Sequence, residues 1–149
     1  MPMRCTRAAM FMSDPSTSMK MKGDVCEVCA RGPHSLIGLV ELITRAIVYC
    51  RLNGIGKLLV DCADVSGVPI PTLIERFLAV EDWAAASDRL VVIAIVAHPD
   101  YIHPKKFGVQ VAMHLGLVSD VYLTSAEASA WLASGAPPDL VDYVLRKWV

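Results

Sequence analysis

Three side chains within six residues, His98, Asp100 and His103, are the densest cluster of chemically capable groups in the chain. Two imidazoles and a carboxylate at that spacing can ligate a transition metal or act as acid and base. Pro99 and Pro104 support a plainer reading, in which HPDYIHP is a loop with a short turn leading into a helix, Asp100 accepts locally and both histidines are exposed. A second group, Asp61, Asp64 and Ser66, follows an apolar run, although Ser66-Gly67 is also turn chemistry. Lys105 and Lys106 open a helix, where the dipole disfavours cations. They either meet an approaching anion or form a solvated pair.

Cys26 and Cys29 have C-x-x-C spacing, which in a turn chelates zinc or forms a redox pair. In a strand, residues i and i+3 point to opposite faces, and no second pair follows at finger spacing. Both read as structural, with Cys26 inward beside Val28. Cys50 and Cys62 read as small hydrophobes, and Asp61 beside Cys62 raises rather than lowers its pKa. An odd number of cysteines, five, fits a reducing compartment better than a disulfide framework. The chain lacks G-x-G-x-x-G, the P-loop pattern and G-x-S-x-G. No cofactor or metal is expected, and catalysis by Asp61, Asp64, His98 and His103 is the weakest of the functional classes.

These residues need a scaffold, and the chain of 149 residues, 54% hydrophobic, is long enough to bury one core. The longest apolar run, Leu90 to Ala97, falls far short of the roughly 20 residues a bilayer span requires. A formal net charge of −1 leaves no basic field for nucleic acid. Residues 1–17 read as a disordered lead-in, with methionines scattered among Ser, Thr and Pro. Its apolar stretch Ala8 to Met12 is shorter than the roughly 7–15 residues of a secretory signal, so a cytoplasmic location is expected.

Met19 to Lys22 and Val25 to Ala30 alternate around Gly23-Asp24, which predicts a β-hairpin. Ser35 caps a helix with the stripe Leu36, Leu39, Val40, Ile43, Ala46, Ile47 and Cys50, closed by Asn53-Gly54. Lys57 to Cys62 reads as a strand, and Pro71 to Ala86 as a helix with Ile74, Phe77, Leu78 and Trp83 inward. Leu90 to Ala97 reads as a strand buried on both faces. Pro104 opens a further helix that Gly116 ends, Asp120 to Leu123 is the last strand, and Thr124 to Glu127 is a capping box for a helix ending near Ser134. The order ββαβαβαβα predicts a mixed sheet covered by helices. Its carboxyl rim would gather Asp61, Asp64 and Ser66 with His98, Asp100, Tyr101 and His103, and with Thr124 and Ser125. After the break Gly135-Ala136-Pro137-Pro138, residues 135–149 read as an appended amphipathic helix.

The runs KLLVDCADVSG, ERFLAVEDWA, LVVIAIVAHPDYIHPKKFG and VYLTSAEASAWL resemble the STAS/SpoIIAA-like family, specifically its bacterial SpoIIAA-like branch. The resemblance covers residues 18–134. It implies an α/β fold with an N-terminal β-hairpin and three strand–helix crossover units, here with an added C-terminal helix, and a small regulatory or ligand-binding module. In anti-sigma-factor antagonists of this family a Ser or Thr at the start of the helix after the first crossover strand accepts phosphate. Here Ile70 and Pro71 stand about where that Asp-Ser-Ser run falls, leaving Ser66 and Thr72 as the nearest hydroxyls.

The expected function is therefore a non-enzymatic regulatory module that binds an unidentified protein partner or a second copy of itself. Rim loops and a neighbouring helix face would make the contact, together with Leu140, Tyr143, Val144 and Trp148 of the C-terminal helix. The alternative is a small carrier of an apolar or anionic ligand, held between sheet and helices or at the rim by Asp61, Asp64, Ser66, His98, Asp100, His103 and Lys106.

Overall fold

A computed structural model describes residues 15–134. The expected lead-in up to residue 14 and the C-terminal helix with Leu140, Tyr143, Val144 and Trp148 lie outside the described residues. Strand β1 (Thr17–Lys22) begins one residue inside the stretch read as lead-in, because Thr17 pairs with Ala30 and the Ser16 carbonyl accepts from the Arg31 amide at 2.9 Å. β1 turns through Gly23, whose φ of +62° suits the first position of a type II′ hairpin, into β2 (Val25–Pro33).

Beyond the hairpin the chain alternates: α1 (Leu36–Leu52), β3 (Lys57–Ser66), α2 (Leu73–Ser87), β4 (Val92–Val96), α3 (Phe107–His114), β5 (Ser119–Tyr122) and α4 (Ser125–Ala133). The five strands lie in sequence order, with β1 antiparallel to β2 and every later pair parallel. This is the mixed α/β sheet that the sequence predicts. Crossovers of one hand between consecutive neighbours carry successive helices to one face of a sheet. Accordingly, α1, α2 and α3 share a core with Cys26, Val28, Leu58, Val60 and Ile93. The alternate strand residues Leu59, Ala94 and Val96 point the other way and meet Ala128 and Leu132 of α4.

Caps define the helix starts. Ser35 accepts from the Gly38 amide at 3.0 Å, and Thr72 forms a reciprocal capping box with Glu75. Two expectations need correction. First, α3 starts at Phe107 and not at Pro104, because Pro104 and Lys105 form a turn closed by the Lys106 amide on the His103 carbonyl at 2.8 Å, with Lys106 left-handed at φ +48°. Second, Ile74, Phe77 and Leu78 do not face inward. The stripe that meets the core is Ala79, Val80, Trp83 and Ala86, which turns Ile74 and Leu78 outward at 73% and 51% exposure. Among the described residues no helix is long and apolar enough to cross a membrane.

Candidate functional site

The expected rim splits into separate places. β3 pairs with β4 only as far as Asp61 opposite Val96, while its pairing with β2 runs on to Ser66 opposite Pro33. Asp64 and Ser66 therefore stand exposed on a two-stranded extension beyond the rim. Asp61 remains at the rim but points to the α4 side, where Oδ2 accepts from the Ser125 hydroxyl at 3.0 Å and Oδ1 from the Ala63 amide at 3.0 Å. It ties a strand end to a helix start.

The histidine cluster is occupied with local structure. His98 Nδ1 accepts from the Asp100 amide at 3.2 Å and lies 3.4 Å from the Asp100 carboxylate, on the 3-10 turn Pro99–Tyr101. His103 Nδ1 accepts from the Lys105 amide at 3.1 Å. Among the described residues no three His, Cys, Asp or Glu side chains gather into a metal-binding group. Thr72 spends its hydroxyl on the cap of α2.

Lys106 is paired. Its Nζ lies 2.6 Å from Asp120 Oδ1 and 5.2 Å from the centre of the Tyr122 ring. Asp120 is buried and also accepts from the Val121 amide at 2.8 Å and the Tyr122 hydroxyl at 3.1 Å. A buried carboxylate with three donors is well satisfied. It pins the start of α3 to the edge strand β5.

What the structure does bring together is an apolar cavity of about 180 Å³ between the sheet and the three-helix layer. Its floor is Cys62, Val65, Ile93 and Ile95, and its roof includes Leu39 and Val40 of α1 with Ala79, Val80 and Trp83 of α2. A bulge in β3 sets two residues opposite Ala30, a local departure from strict alternation near the stretch that brings both Cys62 and Val65 to the cavity. The Trp83 indole N–H donates to the Val40 carbonyl at 3.3 Å, fixing α2 against α1 across this space.

At the carboxyl end of the sheet the cavity meets Pro71, Arg76 and Tyr101. Arg76 Nε donates to the Pro71 carbonyl at 3.3 Å and Nη1 to the Tyr101 carbonyl at 2.9 Å. The Tyr101 hydroxyl in turn donates to the Val68 carbonyl. Burial lowers the pKa of Arg76 from its ordinary value, the mark of a partly desolvated cation. Among the described residues no carboxylate forms a salt bridge with it. Arg76, Tyr101 as a hydrogen-bonding partner of α2, and Asp120 carry no sequence motif. The one signal for Arg76 was a lone cation within the apolar run of α2.

Burial also decides the cysteines. Cys26 is inward and Cys29 half-buried on the opposite face, as the strand alternation requires. Burial first, then Asp61 and Cys29, push the Cys62 thiol up to about 12. The thiolate is the reactive form, so at pH 8 iodoacetamide should modify Cys62 at least ~100-fold more slowly than in the unfolded chain, where thiols titrate near 8.5. Peptide mass mapping over time checks this. Equal rates would show that the cavity wall opens freely to solvent.

No protein-family profile matches the chain, and no curated protein matches it. Among solved structures, the chain is similar to an uncharacterized protein of the DUF3478 family from Shewanella loihica PV-4, described as having a SpoIIAA-like fold, at 13% identity and a TM-score of 0.45 over 78% of this chain and 91% of that one.

Proposed function

We propose that this protein is a non-enzymatic, cytoplasmic regulatory module that works by binding a protein partner through the outer face of α2 and the loop before it. The observation that carries this reading is a run of large apolar side chains left in water: Ile70 at 61% exposure, with Leu73, Ile74, Phe77 and Leu78 following on the helix. Contiguous apolar surface of this kind marks interaction sites more often than scattered single residues do. Ser66 and Thr72 flank the same loop, so phosphate on either would add charge beside the contact.

A photo-crosslinking amino acid in place of Leu78, introduced in the native host, tests the reading. A discrete adduct is expected at position 78 but not at the exposed Ala130 of α4, and Ile74→Asp should abolish it. An adduct of twice the chain mass identifies a second copy as the partner. Equal labelling at both positions, or none, would overturn the proposal.

The cavity favours a second reading, that the module holds a small molecule between sheet and helices. The two readings share α2, which presents Ile74 and Leu78 to solvent and Ala79, Val80 and Trp83 to the cavity.

A further inference from the structure

We infer that the cavity beneath α2 is a binding site for a small apolar carboxylate, with its hydrocarbon part against Cys62, Val80 and Ile95 and its carboxylate on Arg76. This inference rests on the reading of the cavity as a ligand site and adds the class of ligand. Three observations carry it.

The first is size. A cavity of about 150 Å³ lined by aliphatic side chains holds benzene. At about 180 Å³, this one has room for a single ring or a short alkyl chain. The second is lining, which is aliphatic along the floor and most of the roof, so that an apolar body loses no hydrogen bonds on entry.

The third is the unused capacity of Arg76. Guanidinium offers five N–H donors in a planar fork that matches a carboxylate. Two are committed, to the Pro71 and Tyr101 carbonyls, and those bonds hold the group at the cavity rather than letting it swing into water. The other charged groups on the lining are already engaged. Lys106 is paired with Asp120, and Glu75 gives Oε1 to the Thr72 amide at 2.9 Å in the helix cap. Arg76 is thus the cation of the lining that lacks an anion among the described residues. A half-buried, preoriented cation at the end of an apolar slot binds an anion with an apolar body better than a neutral molecule of the same shape.

The test uses the full chain with three probes of one shape: benzoate, benzamide and toluene. Calorimetry gives the affinities, and amide chemical shifts locate the site. In the wild type, benzoate should bind at least tenfold more tightly than benzamide, with shifts centred on Cys62, Val80 and Ile95. Arg76→Met should bring benzoate and benzamide within threefold of each other while leaving toluene unchanged. Arg76→Lys keeps the charge without the fork and should give an intermediate ratio. Should Arg76→Met fail to fold, the wild-type ratio and Arg76→Lys still decide. If toluene and benzamide bind in the cavity and benzoate binds no better, the carboxylate assignment fails while the ligand-site reading stands. If none of the three binds, both fall.

Discussion

Leu58→Ala should lower the unfolding free energy by about 3.5 kcal/mol, the middle of the range for buried leucine truncations. Leu58 lies on β3, fully buried, and contributes to the core shared with α1, α2 and α3. Its strand is held on both sides by parallel neighbours, with Cys26 on β2 and Ile93 on β4 at its own level. Such a site relaxes little into the space that truncation leaves, so the cavity cost adds to the lost transfer energy. Against a domain stability of about 5–15 kcal/mol this is a large fraction. Ile74→Ala removes a comparable apolar side chain from a helix position exposed to 73%, and should cost less than about 0.5 kcal/mol. Urea titration of both variants, with unchanged m-values, measures the contrast. A loss from Ile74→Ala as large as that from Leu58→Ala would mean that α2 is rotated from the orientation described, and the proposed contact face would go with it.

Asp120→Ala should cost about 2 kcal/mol, because three donors lose a charged acceptor. The figure stays below the 3–5 kcal/mol or so typical of a fully buried ion pair. The reason is Lys106: its side chain is 41% exposed against 11% for Asp120, so the freed amine can return to water. Asp120→Asn keeps an acceptor for the Val121 amide and should cost roughly half as much. The two variants separate the hydrogen bonds from the charge. Thermal unfolding at low and high salt should show the wild-type advantage over Asp120→Asn shrinking as salt rises, since the pair is partly exposed. Amide exchange adds a local readout, with the start of α3 and strand β5 opening first in Asp120→Ala. Equal stability of all three proteins would show that the edge strand is held by its backbone ladder alone.

Much of the architecture was legible because local signals and the apolar pattern agreed. Gly23-Asp24 marked the hairpin, Ser35 and Asn53-Gly54 marked both ends of α1, and the Leu90 to Ala97 run announced a strand with neighbours on each face. Failures came where one segment satisfied two patterns. Helix α2 has apolar residues on more than one side, so periodicity alone chose Ile74 and Leu78 where packing chose Ala79 and Val80. Helix α2 packs between α1 and α3 above the cavity, and that placement leaves Ile74 and Leu78 outside.

The candidate site was less legible for a related reason. Asp61, His98, Asp100 and His103 drew notice as chemically capable types, yet the structure shows each with a structural partner: the Ser125 hydroxyl across the fold for Asp61, and for the other three the Asp100 amide, a nearby imidazole and the Lys105 amide. Arg76 attracted none, because an arginine in an amphipathic helix is ordinarily a solvated residue. What singles it out is the Tyr101 carbonyl 25 residues further along the chain, a contact that no local spacing encodes.

The sequence by itself determined the element order, the hairpin, the caps of α1 and α4 and the apolar positions of the central strands, since these follow from backbone preferences and from periods of 2 and 3.6 residues. Tertiary structure alone decided which face of α2 meets solvent, that Asp61 and the cavity lie on opposite sides of the sheet, and that Arg76 closes one end of an apolar space. Those facts depend on how far β3 outruns β4 and on how three helices share one sheet face. Both are settled by packing between residues distant in sequence.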